Sequence, residues 1–181
     1  MTQTEKQKIE LATAKIFLPL YNREKRTAFE VLRPGDAPDI LCQDPNTGAE
    51  FGLEITLLED LPGEIKHILG RGRQPNSPIT GTPVRSFYDD VAPQLVHALE
   101  DKLLSSYGPS TALVIRQTAP IWGPTEWQTI LERLQQEVFR GREHNFGAGV
   151  WLICVDSSTW PASNALICLS PGIDNSANEA A

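Results

Sequence analysis

Apolar positions along this chain switch between two periods, and the switches mark out its elements. Between residues 4 and 18, Ile9, Ala12 and Ile16 recur at helical spacing among charged residues, which predicts a first helix ended by Pro19. Three short stretches follow: TAFEVLR (27–33), DILCQ (39–43) and EFGLEITLL (50–58). The turn sequences P-G-D-A-P and D-P-N-T-G separate them, so together they predict an antiparallel meander. In the third stretch Phe51, Leu53, Ile55 and Leu57 alternate with Gly52, Glu54, Thr56 and Leu58, which puts Glu54 and Thr56 on one face.

Residues 61–83 contain four prolines and four glycines and predict a long loop of the functional or mobile kind. Helical spacing returns over 90–106, where Val91, Leu95, Ala98, Leu99 and Leu103 form the apolar stripe, Pro93 falls in the first turn, and Gly108-Pro109 stops the helix. TALVIRQ (111–117) reads as a buried strand. Pro124 and Thr125 open a further helix with Trp127, Ile130, Leu131, Leu134 and Val138 at steps of three and four. GVWLICVD (149–156) and ALICLS (165–170) are the last two strands. The order α-β-β-β-α-β-α-β-β predicts an α/β fold, a mixed sheet flanked by helices.

Composition narrows this picture. At 181 residues with 40% apolar and 22% charged side chains, the chain suits one globular domain over 1–172, with a disordered tail at 173–181. No apolar run approaches the roughly 18 residues a bilayer helix needs, and MTQTEKQKIE lacks the features of a secretory signal, so no membrane association and a cytoplasmic location are expected. Cys42, Cys154 and Cys168 sit in apolar runs without zinc-ligand spacing and read as buried free thiols. His67, His97 and His144 are scattered and form no ligand pattern. The net charge of −7 excludes a protein that coats nucleic acid through bulk electrostatics.

That charge is unevenly spread. Residues 1–86 carry 11 basic and 12 acidic side chains, and residues 87–181 carry 5 and 11. Lys66, Arg71, Arg73 and Arg85 lie in or beside the long loop, where they read either as a clamp for a phosphate backbone or as an ordinary solvated loop.

Asp39 opens the second strand and Glu54 lies in the third, joined by a hairpin turn, so their carboxylates can converge at one side of the sheet. Two carboxylates with a neighbouring backbone carbonyl are hard oxygen ligands suited to Mg²⁺ or Mn²⁺. Taken singly, each has a plainer reading: a Pro-Asp pair often serves only to build a turn, and a Glu in an alternating strand often faces solvent.

Pro38-Asp39, the Glu54-Ile55-Thr56 step within F-G-L-E-I-T, and an α-β-β-β-α-β order over roughly residues 4–117 together resemble the PD-(D/E)XK nuclease superfamily. The resemblance implies a restriction-endonuclease-like core with an extra C-terminal helix and strands, and metal-dependent hydrolysis of nucleic-acid phosphodiesters. It implies metal ligation by Asp39, Glu54 and the Ile55 carbonyl, with Glu10 on the first helix reaching the metal through water and Glu30 competing for that role. The pattern departs at the lysine position, which holds Thr56. Some members of the superfamily carry this lysine on the helix after the third strand, and here Lys102 continues the stripe Val91, Leu95, Ala98 towards the core. Gln94, two turns earlier and roughly 80° round the helix, is the alternative to Lys102 as replacement for the missing lysine. Lys102 also has the bland reading of a side chain snorkelling near a helix C-terminus. The same departure admits an alternative, an inactive nuclease-like fold serving as a binding or assembly module. A homodimer and unidentified protein partners also stay open.

Overall fold

A computed structural model describes residues 4–58, 92–105, 107–118, 122–139, 144–156, 158 and 161–171. Among them, three helices flank a six-stranded mixed sheet. The elements are α1 (Glu5–Lys25), β1 (Glu30–Pro34), β2 (Ile40–Gln43), β3 (Glu50–Leu58), α2 (Ala92–Leu103), β4 (Thr111–Gln117), α3 (Pro124–Leu134), β5 (Val150–Asp156) and β6 (Ser163–Ser170). The strands lie side by side in chain order. β1, β2 and β3 run antiparallel, β3–β4 and β4–β5 are parallel, and β6 returns antiparallel to β5.

Period-2 patterning puts apolar residues on both faces of the sheet, and each face has its own core. Phe51, Leu53 and Ile55 of β3, with Val114 and Trp151, pack against Phe17, Leu18 and Tyr21 of α1. Leu58, Leu113, Ile115 and Leu152 point the other way, against Leu95 and Leu99 of α2 and Trp127 and Ile130 of α3. α3 runs on into five residues of wider, π-type winding, Gln135–Phe139.

Helix α1 departs from the sequence reading twice. It runs through Pro19 to Lys25. Pro19 cannot bond the Lys15 carbonyl, a loss of about 3 kcal/mol in a helix interior. Burial of Leu18 and Tyr21, at about 1.5–3 kcal/mol each, offsets that loss. Tyr21 stacks on Phe51 at 4.9 Å and meets Trp151 edge-on at 5.4 Å, so the helix must continue past the proline to fill this core. Its end is made instead by Arg26, in the left-handed conformation, whose N–H donates to the Asn22 carbonyl.

The second departure is the buried face. Glu10, Thr13, Ala14, Phe17 and Tyr21 are covered, whereas Ala12 is exposed and Ile9 and Ile16 are half-buried. The first strand also begins later than expected, at Glu30, because the Asn22 side chain grips Phe29 at both its N–H and its carbonyl. The chain at 27–29 is thereby tied to α1 rather than to the sheet. Elsewhere β3 and β4 occupy the expected ranges, and the D-P-N-T-G turn forms around the Asp44 carboxylate and Gly48, whose φ of +73° suits glycine. The expected loop at 61–83, Val91 and the tail at 173–181 lie outside the described residues.

Candidate functional site

The register of β2 on β3 creates a notch. Ile40, the first residue of β2, pairs with Leu53, while β3 continues to Leu58 paired only with β4 among the described residues. Asp39 sits at the mouth of this notch, one residue before β2, after the cis Ala37-Pro38 peptide. It is 3% exposed. The Ile55 N–H donates to its Oδ2 at 2.8 Å, standing in for the strand partner that β3 has lost.

That bond also orients Ile55. In an extended strand the N–H and C=O of one residue point to the same side, so the Ile55 carbonyl faces the notch as well. Glu54, next along, projects from the α2 face and is 6% exposed. The β2–β3 register thus makes Asp39, Ile55 and Glu54 neighbours at mid-β3, where β2 ends.

Lys102 reaches this place from α2. Its Nζ stands 2.6 Å from Glu54 Oε1. Burial works against its charge, but the contact with Glu54 and the further field of Asp39 outweigh it and hold its pKa above the usual lysine value. Among the described residues the other Glu54 oxygen, Oε2, is buried without a hydrogen-bond partner, and so is the hydroxyl of Thr56 on the same face. Among the described residues it is Lys102, not Gln94, that contacts Glu54; Gln94 is half-buried two turns away on α2.

From the opposite side α1 brings Glu10, 5% exposed within its buried stripe, and Lys6 one turn before it. The Lys6 ammonium bridges Glu10 Oε1 at 3.0 Å and Asp39 Oδ1 at 3.1 Å. These two bonds hold the Lys6 pKa well above its ordinary value. Burial raises the Glu10 carboxyl, the Lys6 contact opposes the rise, and the nearby Asp39 charge adds to it. Glu30 is exposed at the far end of β1, paired with Gln43, so only Glu10 of the two helix-one and strand-one acids stands by Asp39.

Sequence reasoning missed two members of this cluster. Lys6 carried a signal, its i,i+4 spacing to Glu10 on a predicted helix. Tyr107 carried none: it follows α2, and burial and then the neighbouring Glu54 carboxylate push its phenol up. Lys66, Arg71, Arg73 and Arg85 lie outside the described residues.

The donors suit a divalent cation in kind. Asp39 Oδ1, the Ile55 carbonyl and Glu54 Oε2 are hard oxygens of neighbouring positions where β2 ends on β3. Among the described residues no group of three or more His, Cys, Asp or Glu side chains is placed to hold a metal ion, so a cation here would rest on two carboxylates and the carbonyl, with Glu10 behind Asp39.

Comparison of the chain with protein-family models, curated proteins and solved structures found no match. Among the described residues no helix is long and apolar enough to cross a membrane.

Proposed function

We propose that this chain is a PD-(D/E)XK-type nuclease domain that hydrolyses nucleic-acid phosphodiesters with Mg²⁺ or Mn²⁺. One observation carries the reading: β2 stops at Ile40, opposite Leu53, so Asp39 and Glu54 are neighbouring positions beside the notch, with Lys102 already on Glu54. The element order α1-β1-β2-β3-α2-β4, an antiparallel meander followed by a parallel crossover, supports it.

A cation held at this site supplies Lewis acidity towards the phosphate and acidifies water. The chain's own groups do the rest. Asp39 is held in place by the Ile55 N–H on Oδ2 and by Lys6 on Oδ1, so the carboxylate is oriented before any ligand arrives. Lys102 brings a positive charge beside Glu54 from α2, where it can neutralise charge developing on phosphate oxygens, the task of the lysine that Thr56 displaces. The partial burial of these groups keeps their fields stronger than in bulk water.

The second reading, an inactive binding or assembly module, is favoured by a different observation. Asp39 and Glu54 are each matched by a lysine, so the acids are satisfied as salt bridges without any ligand. Incubation with single- and double-stranded DNA and RNA in Mg²⁺ and in Mn²⁺, beside an Asp39→Ala/Glu54→Ala variant, separates the two. Cleavage by the wild type alone supports the nuclease. Cleavage by both proteins marks a contaminant, and cleavage by neither, with no calorimetric Mn²⁺ binding, leaves the binding module.

A further inference from the structure

Lys6 is placed against the local energetics of its helix. It lies in the first turn of α1, the end where the helix dipole disfavours a cation, and it precedes Glu10 in the less favourable i,i+4 order. Its side chain is 75% exposed, yet its ammonium is fixed between two acids that are 6% and 4% exposed. What holds it there is tertiary: the ammonium stands 3.0 Å from the Glu10 carboxylate and 3.1 Å from that of Asp39, which comes from another element.

The choice of oxygen is informative. Asp39 Oδ2 is committed to the Ile55 N–H, so Oδ1 is the oxygen left for a cation, and Oδ1 is the one that Lys6 occupies. We propose that Lys6 is the resident counter-cation of the Glu10–Asp39 pair, holding Asp39 Oδ1 until a divalent cation takes it, so that metal affinity is set by competition with an ammonium on α1. This rests on the metal-dependent reading above. It makes Lys6 a positioning residue that holds the two carboxylates in place in the metal-free protein. Its long exposed stem lets the head swing away into water when displaced.

The test is calorimetric titration of Mn²⁺ into the full chain, as wild type, Lys6→Met, Lys6→Gln, Lys6→Arg and Asp39→Ala. Removing the competing ammonium is expected to tighten Mn²⁺ binding about fivefold in Lys6→Met and Lys6→Gln, in line with loss of a partly exposed ion pair. Lys6→Arg keeps the charge and should stay near the wild-type affinity, while Asp39→Ala should bind no Mn²⁺ at this site. A damaged fold weakens binding, so a gain cannot come from damage. Equal or weaker binding by both neutral variants overturns the proposal and leaves the metal centre standing. A wild type that gives no Mn²⁺ heat removes the metal centre, and the competition with it.

Discussion

The ring of Pro38 fills the space that a side chain on Gly52 would need. A Cβ at Gly52 would stand 2.8 Å from Pro38 Cγ and 2.9 Å from Thr111 Oγ1. Pro38 is bonded to Asp39 and Gly52 lies two residues before Glu54, so this close approach sets how the two acidic strands meet. Gly52→Ala must push the Pro38 ring, and Asp39 with it, away from β3. The expected result is a loss of about 1–3 kcal/mol in stability, typical of an overpacked site, together with weakened Mn²⁺ binding. Urea denaturation and calorimetry on the same variant check both, and an unchanged Mn²⁺ affinity would separate the glycine contact from the placement of Asp39.

Lys102 and Glu54 form a partly buried pair, with side chains 31% and 7% exposed. Lys102→Met leaves the Glu54 carboxylate buried without its partner. Since Lys102 keeps partial access to water, the cost should be about 1–2 kcal/mol, below that of breaking a fully buried pair. Lys102→Met combined with Glu54→Gln should recover most of it, because no uncompensated charge remains. A double-mutant cycle by chemical denaturation measures the coupling, and additive losses would show that the pair does not hold the fold together.

His144 and Ser170 make a second buried polar contact, Nε2 to Oγ at 2.8 Å, on the far side of the sheet from α1. Burial lowers the His144 pKa, outweighing backbone hydrogen bonds that raise it. A histidine that resists protonation when folded but accepts it when unfolded contributes stability above its unfolded pKa of about 6.5. That contribution is lost as pH falls towards the folded value. Wild-type stability should therefore drop more steeply between pH 7.5 and pH 5 than that of His144→Gln. Urea midpoints at the two pH values test this, and parallel losses would take the slope away from His144.

Much of the fold was legible because the strands near the site are strongly patterned. The alternation over Phe51–Leu58 and the buried run Thr111–Gln117 identify β3 and β4 with their observed ends, and with them the shared face of Glu54 and Thr56. Helix α1 was misread for a reason that concerns the site. A periodicity built on apolar residues selects Ile9, Ala12 and Ile16, whereas the buried stripe includes Glu10 and Thr13. Their burial depends on Lys6, on Asp39 and on Arg116, which donates to Thr13 at 3.3 Å, all of them chosen by tertiary packing. Pro19 misled in the same way, since its local cost was visible and the Tyr21 packing that offsets it was not. Lys102 was singled out by the resemblance, which allows the lysine on this helix, and by its place in the α2 stripe; its Nζ stands 2.6 Å from Glu54 Oε1.

Thr56 gives the most direct trial of the proposed activity. It occupies the position where the superfamily pattern has its lysine, on the Glu54 face, and its hydroxyl is buried without a partner among the described residues. Residues two apart on a strand stand roughly 7 Å apart along one face, so a lysine here would extend into the region that Lys102 now reaches from α2. In wild type a second ammonium would compete for Glu54, and Thr56→Lys alone should lower turnover. With Lys102→Ala the logic reverses. Removal of Lys102 should cost about 10²-fold in turnover, the scale of losing one charge-stabilising group, without loss of Mn²⁺ affinity. The Lys102→Ala/Thr56→Lys double variant should regain at least part of that loss, because the charge returns to the same site from β3. Single-turnover cleavage in Mn²⁺ reads the effect, and a double variant no faster than Lys102→Ala would show that the two positions do not serve one role.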